Sequence, residues 1–335
     1  MKSNLIYSFA IASVFMLFNA CSGASSSDDE GDETSEASTL VLNTSLFSSY
    51  SRTSEFELVD CTLSDGTETK CYKVSYTNSP EAWGPGCPEY VGEVGGLGVW
   101  DGNTNPGLRA LDDELWADFA TDGYDIINDD GSINIQIPAG GPGSGFIDAG
   151  SGINGSCLDA NLNDLTITYY IPAYPVKTTR ASTTTTLEYW GVSLDGFPYA
   201  EQPPGAASAV GAAIPALDPC GGHPQPDGPY HYHLIPQVVN HLLDQEGVTS
   251  VSCTNIEQTS SEVVGYARDG FAIYGYEDYD GSTPTDLDDC NGHTHVTDEF
   301  PEGIYHYHIT NEDVPNILPC TYGATVASNS FSTYE

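Results

Sequence analysis

Apolar and polar positions alternate in short runs along most of this chain, and glycine, proline or Asp-Gly pairs break each run within ten residues or so. Leu40-Val41-Leu42 opens the first run. Glu55 to Tyr76 reads as a hairpin about the Asp65-Gly66 turn. Ile133, Ile135 and Ile137 alternate after Asp129-Asp130-Gly131, and Leu165 to Tyr170 and Thr183 to Trp190 read as further strands. Leu108, Leu111, Leu115 and Phe119 recur at three- and four-residue steps, which predicts a helix from Gly107 to Asp122. A second, short helix is expected from Val238 to Gln245. Asn78 to Asp101 and Gly140 to Gly155 carry so much Gly and Pro that loops with short extended pieces are expected. The pattern predicts a mainly β protein, sandwich-like or barrel-like, with one or two short helices.

The same pattern is written twice in the second half. Trp190-Gly191-Val192-Ser193-Leu194-Asp195-Gly196-Phe197 matches Val264-Gly265-Tyr266-Ala267-Arg268-Asp269-Gly270-Phe271. Cys220-Gly221-Gly222-His223 then answers to Cys290-Asn291-Gly292-His293, and Gly228-Pro229-Tyr230-His231-Tyr232-His233 to Gly303-Ile304-Tyr305-His306-Tyr307-His308. Residues 190–250 and 264–325 are thus two versions of one unit. Successive side chains on a strand face opposite ways, so in each copy both histidines share one face and both tyrosines the other. Seven residues separate His223 from His231, whereas twelve separate His293 from His306 and include an extra His295. Packing about a local twofold would bring the matched strands near one another.

The N-terminus reads as a targeting segment, with Lys2, an apolar run from Leu5 to Phe18, and Ala20 before Cys21. Cleavage there would leave Cys21 as a lipid-bearing first residue, as in bacterial lipoproteins, with simple secretion as the alternative. Residues 1–20 are then a signal peptide, 21–38 an acidic, Ser-rich flexible tether, 39–189 an N-terminal β-rich part, and 190–335 the duplicated half. The 335 residues carry 8 Lys and Arg against 48 Asp and Glu. A net charge of −40 excludes nucleic-acid binding through phosphate neutralisation and favours cations as partners. Eight cysteines remain beyond Cys21, an even number that favours disulfides in an oxidising compartment. Cys61 and Cys71 flank Gly66 symmetrically and are expected to face each other across the hairpin. Pairing by neighbourhood suggests Cys87 with Cys157, Cys220 with Cys253 and Cys290 with Cys320.

The paired Tyr-His-Tyr-His strands, the Asp-Gly-Phe turns, Cys290-Asn291-Gly292-His293 and the Cys61–Cys71 hairpin together resemble the YHYH-domain family of exported proteins. The resemblance runs from about Asp60 to Gly323. It implies export and a common fold, and it offers the matched histidines as functional positions. It supplies no reaction.

Two histidines at i and i+2 on a strand, joined by a third from a loop, form a three-nitrogen set of the kind that binds zinc or copper. His306, His308 and His293 are the leading set, and His231, His233 and His223 the matching one, either as two sites or as one shared between the repeats. His295 is a weaker ligand candidate. Methionine occurs only at positions 1 and 16, which argues against a soft copper(I) carrier. The first reading is an exported, lipid-anchored protein that binds a transition metal. The alternatives are a metal-dependent hydrolase or oxidase using the same histidines, with Glu302 or Asp269 as base, and a metal-free structural or surface-binding module. Asp195 and Asp269 are most simply turn residues, with a role as hydrogen-bond partners of the ligand histidines in second place. Asp278-Tyr279-Asp280-Gly281-Ser282, with Asp286, Asp288 and Asp289, collects oxygens as a calcium loop does, although a solvated acidic loop is the plainer reading. His241 is expected at the surface or in packing.

Overall fold

The computed structural model describes residues 39–78, 88–100, 102–124, 126–133, 165–182, 189–200, 217–218, 220–224, 229–234, 261–309, 317–327 and 331–334. The expected signal peptide, tether and Cys21, the helix from Val238 to Gln245 with His241, and Ile135, Ile137, Cys87, Cys157 and Cys253 lie outside them. Among the described residues strand dominates, in open sheets arranged as a sandwich, and no sheet closes into a barrel. Among the described residues no helix is long and apolar enough to cross a membrane.

The hairpin forms from β1 (Glu57–Thr62) and β2 (Glu68–Thr77). The Asp65 carboxylate accepts the Thr67 N–H at 2.9 Å and closes the turn. Cys61 and Cys71 are disulfide-bonded with Cα atoms 5.9 Å apart. They sit diagonally instead of directly opposed, because Cys61 faces Thr69 and Cys71 faces Val59. The turn is centred nearer Asp65 than the symmetric spacing suggested.

Two short strands follow, β3 (Leu97–Trp100) and β4 (Gly107–Ala110), paired antiparallel. The helix α1 (Asp113–Thr121) therefore begins later than the apolar spacing predicted. Leu108 belongs to β4, and Asp112 is the residue that starts the helix, its carboxylate accepting the N–H groups of Glu114 and Leu115. Leu111, Leu115 and Phe119 are buried as the stripe required.

β5 (Thr166–Pro172) pairs with β2 and with the last strand of the chain. β6 (Lys177–Ser182) comes next, then the repeats: β7 (Tyr189–Ser193), β8 (Pro198–Ala200), β9 (Gly222–Pro224) and β10 (Tyr230–Tyr232) in the first, β11 (Val263–Ala267), β12 (Ala272–Tyr274), β13 (Gly292–His295) and β14 (Ile304–His308) in the second. β15 (Thr321–Gly323) pairs with β6, and β16 (Phe331–Tyr334) closes the β1-β2-β5-β16 sheet.

All eight repeat strands form one sheet in the order β13-β14-β12-β11-β7-β8-β10-β9. The order reads identically outward from its centre. Val192 and Tyr266 hold the same position in the two repeats and face each other across the antiparallel β7–β11 pair, so the local twofold passes between them. This symmetry separates the histidine strands, contrary to the expectation that it would bring them together. Four strands lie between β10 and β14, roughly 24 Å at about 4.8 Å per strand.

The four-stranded sheet packs on this sheet. Val74, Tyr76, Ile167, Tyr169 and Ile171 share one buried cluster with Val192, Phe197, Tyr266, Phe271 and Tyr307. The core lies on the tyrosine side of β10 and β14, which leaves the histidines of both strands on the other face.

Candidate metal centre

The Cys-x-Gly-His elements are tight turns held by an aspartate that precedes each cysteine by two residues. Asp288 Oδ1 accepts the N–H groups of Cys290 and Gly292, both at 3.0 Å, and Asp218 Oδ1 does the same for Cys220 at 2.8 Å and Gly222 at 3.2 Å. The residue after the cysteine turns left-handed, with φ of 81° at Gly221 and 61° at Asn291, a conformation that Gly and Asn tolerate. The next glycine is required by packing: a Cβ on Gly292 would lie 2.2 Å from the Tyr305 hydroxyl, and one on Gly222 2.5 Å from that of Tyr230. The Cys290–Cys320 disulfide ties the second turn to the chain ahead of β15. Cys220 is also disulfide-bonded.

The turn delivers its histidine into register with the histidine strand. His293 lies directly opposite His306, and His223 opposite His231. Opposed residues of an antiparallel pair point to the same face, and His308 and His233 lie two positions along it. Three imidazoles therefore converge in each repeat. In the second, the Nε2 atoms form a near-equilateral triangle: His293 to His306 3.2 Å, His306 to His308 3.1 Å, His308 to His293 3.2 Å. In the first, His231 Nε2 lies 3.0 Å from His233 Nε2, which lies 3.1 Å from His223 Nε2.

The far nitrogens fix what these contacts are. His306 Nδ1–H donates to the Ile304 carbonyl at 3.0 Å, His308 Nδ1–H to the Gly275 carbonyl at 2.8 Å, and His293 Nδ1–H to Asp286 Oδ1 at 2.7 Å. Those oxygens only accept, so each neutral ring keeps its proton on Nδ1 and turns a bare lone pair inward at Nε2. Three lone pairs cannot hydrogen-bond one another. A proton on His306 or His308 does not settle the conflict near neutrality, because burial pushes His306 down to about 3 and His308 down to about 4.

A fourth acceptor points to the same place. Asp278, its side chain only 8% exposed, sets Oδ1 3.2 Å from His293 Nε2 and 3.5 Å from His308 Nε2. That oxygen is buried and has no hydrogen-bond donor. Burying an unpaired carboxylate against three lone pairs is costly unless a cation joins them. Four ligands each about 2.0–2.1 Å from a tetrahedral ion lie about 3.3 Å apart, close to the distances found here. His293, His306, His308 and Asp278 thus form a group able to hold a metal ion, and so do His223, His231 and His233. In the first group, His231 Nδ1–H donates to the Pro229 carbonyl at 3.1 Å, and burial holds the His231 pKa well below the usual histidine value.

The remaining sequence candidates fall elsewhere. Asp195 and Asp269 do not reach the imidazoles. Tyr232 donates to Asp195 at 2.9 Å and Tyr307 to Asp269 at 2.6 Å, on the opposite strand face, because an Asp-Gly turn over the core presents its carboxylate to the tyrosines. Ser193 also donates to Asp195. Glu302 is exposed in the turn before β14, away from the role of base. His295 stacks on His293 at 5.3 Å, outside the triangle. The acidic loop does not converge as a calcium loop. Asp278 turns inward, Asp286 holds His293, Asp288 builds the turn, and Asp280 caps the Ser282 N–H. The sequence placed Asp278 in a calcium-like acidic loop and did not join it to the histidines. Its only signal was an acidic loop placed just ahead of Cys290.

The family described as YHYH protein matches this chain over residues 168–285 and 276–323. No curated protein and no solved structure matches it.

Proposed function

We propose that this chain, whose residues 168–323 match the YHYH family, binds divalent transition-metal ions at two separate sites. The second site uses His293, His306, His308 and Asp278, and the first uses His223, His231 and His233. One observation carries the reading: three bare Nε2 atoms and an orphaned, buried Asp278 oxygen face a common point. A metal-free bracing role would leave four acceptors in contact with no donor among them, so the structural alternative is disfavoured.

The near-tetrahedral spacing favours zinc over copper(II), which prefers a tetragonal arrangement. A set of four protein ligands is characteristic of ion-retaining sites, whereas catalytic zinc keeps a solvent position. The second site is therefore a binding site and not the centre of a hydrolase or oxidase. Disulfides fit an oxidising compartment. Together with the apolar segment before Cys21 they support export, with Cys21 as the point of lipid attachment.

Elemental analysis of the untagged protein, without residues 1–20, tests the proposal. Two ions per chain are expected, falling to one in His306→Ala/His308→Ala and to one in His231→Ala/His233→Ala. No ion in the unmutated protein would end the metal reading. Loss of both ions in either variant would mean that the two sites are not independent and would overturn the two-site reading.

A further inference from the structure

The ligands of the second site are buried, yet an ion must reach them. Asp278 is also in contact with His295, the histidine that has no counterpart in the first repeat. Its side chain is 38% exposed, while its Nδ1 is buried, without a hydrogen-bond partner, and 3.4 Å from Asp278 Oδ1. Its ring stacks on that of His293 with an interplanar angle of 26°, and the Tyr279 ring lies tilted against it with centroids 6.0 Å apart.

Two unpartnered atoms, one from each side chain, thus face one another across the outer edge of the site. Their separation fits a shared ion, since two ligands about 2.1 Å from a tetrahedral metal lie about 3.4 Å apart. The same Asp278 oxygen is 3.2 Å from His293 Nε2 and 3.5 Å from His308 Nε2. His295 Nδ1 cannot join the inner four as a fifth ligand, because it falls outside the group that converges on one point.

We propose that His295 and Asp278 form an outer station through which a divalent transition-metal ion is handed into and out of the second site. The ion is first held between His295 Nδ1 and Asp278 Oδ1 with water completing its shell. It then exchanges His295 and water for the Nε2 atoms of His293, His308 and His306, while the Asp278 oxygen stays bound throughout. Ligands are exchanged one at a time, and no charged intermediate is left bare in the buried site. This inference rests on the metal-binding reading above and adds a kinetic role that the inner ligands cannot fill.

Zinc release to a colorimetric chelator, and uptake of Zn²⁺ by the stripped protein, should show two phases in the unmutated chain. His295→Ala is expected to slow release and uptake in one phase by about tenfold or more, to leave the other phase alone, and to keep two ions per chain with equilibrium affinity little changed. His295→Asn, similar in reach but a poor metal ligand, should behave alike and carries the test if the alanine variant fails to fold. Unchanged rates in a variant with full metal content would overturn the relay while leaving the binding site in place. A loss of affinity with unchanged uptake would make His295 a static support and overturn it too. If the unmutated protein binds no ion, the metal reading itself has failed, and the relay with it.

Discussion

In both repeats a tyrosine hydroxyl reaches the aspartate that builds the cysteine turn, Tyr230 to Asp218 at 2.8 Å and Tyr305 to Asp288 at 3.0 Å. The second tyrosine of each strand reaches the aspartate of the Asp-Gly-Phe turn. The tyrosine faces of the two repeats are therefore nearly superimposable in their chemistry. The histidine faces are not. Among the described residues the first cluster is three imidazoles, and the second adds Asp278, the Asp286 brace on His293 and the flanking His295. The tyrosine face is the scaffold that fixes the strand, through hydroxyl-to-carboxylate hydrogen bonds that both copies share. On the opposite face of the second repeat, the connection between β12 and β13 delivers Asp278 and Asp286, and β13 itself carries His295.

Asp278→Ala is the largest test of that contrast. It should weaken zinc at the second site by about 10–100-fold or more and leave the first untouched, as read by chelator competition fitted to two sites. In metal-free protein the sign reverses. Removing a buried carboxylate that faces three lone pairs should raise the melting temperature or leave it unchanged. Equal weakening at both sites would erase the distinction between the repeats. Unchanged affinity would remove Asp278 from the ligand set.

Tyr307→Phe and Tyr232→Phe probe what the repeats share. Each deletes one buried hydroxyl and leaves an aspartate short of a donor, so each should cost about 1–3 kcal/mol in chemical denaturation. The costs should be similar, and the zinc affinities nearly unchanged. Asp269 retains the Gly323 N–H at 2.8 Å and Asp195 retains the Ser193 hydroxyl, while Tyr307→Phe also leaves the Tyr322 N–H without its acceptor, which favours the somewhat larger cost in the second repeat. A large affinity loss in either variant would tie the scaffold face directly to the ion.

Much of this was legible in the sequence because it was local or periodic. Alternation on the Tyr-His-Tyr-His strands placed the histidines on one face, and the repeated Cys-x-Gly-His spacing identified the third member of each triangle. Long-range pairing was not legible. Nothing in the residues between 190 and 325 states that the twofold runs through β7 and β11, which is what sends the two histidine strands to opposite ends of the sheet. Leu108 fitted a helical stripe by coincidence, since the decision lay with Asp112 as cap and with strand pairing. Asp278 was one acid among many in its loop, and only the fold distinguishes a carboxylate turned inward from one left in water.

The last expected effect concerns protons in the metal-free protein. Burial holds His306 at about 3 and His308 at about 4, against 6.5 for an ordinary histidine. As pH falls below 6.5 the unfolded chain takes up protons that these folded imidazoles refuse, so stability falls with pH through that window. His231 acts in the same direction. Burial raises Asp218 and Asp269 from 3.8 to about 6, and there the sign is opposite. Between pH 6 and 3.8 the folded carboxyls bind protons that the unfolded ones do not, which offsets part of the histidine loss. Asp269→Asn deletes one opposing contribution. Chelator-treated variant should therefore lose stability between pH 6 and pH 4 more steeply than the unmutated chain, by about 1.4 kcal/mol per pH unit, measured by urea denaturation at each pH. Asp218→Asn should steepen the curve by a similar amount, because burial raises both carboxyls from 3.8 to about 6, although they sit in different turns of the scaffold. Parallel curves for variant and unmutated chains would mean that these carboxyls stay ionised in the fold, held by their tyrosine and N–H donors against the cost of burial.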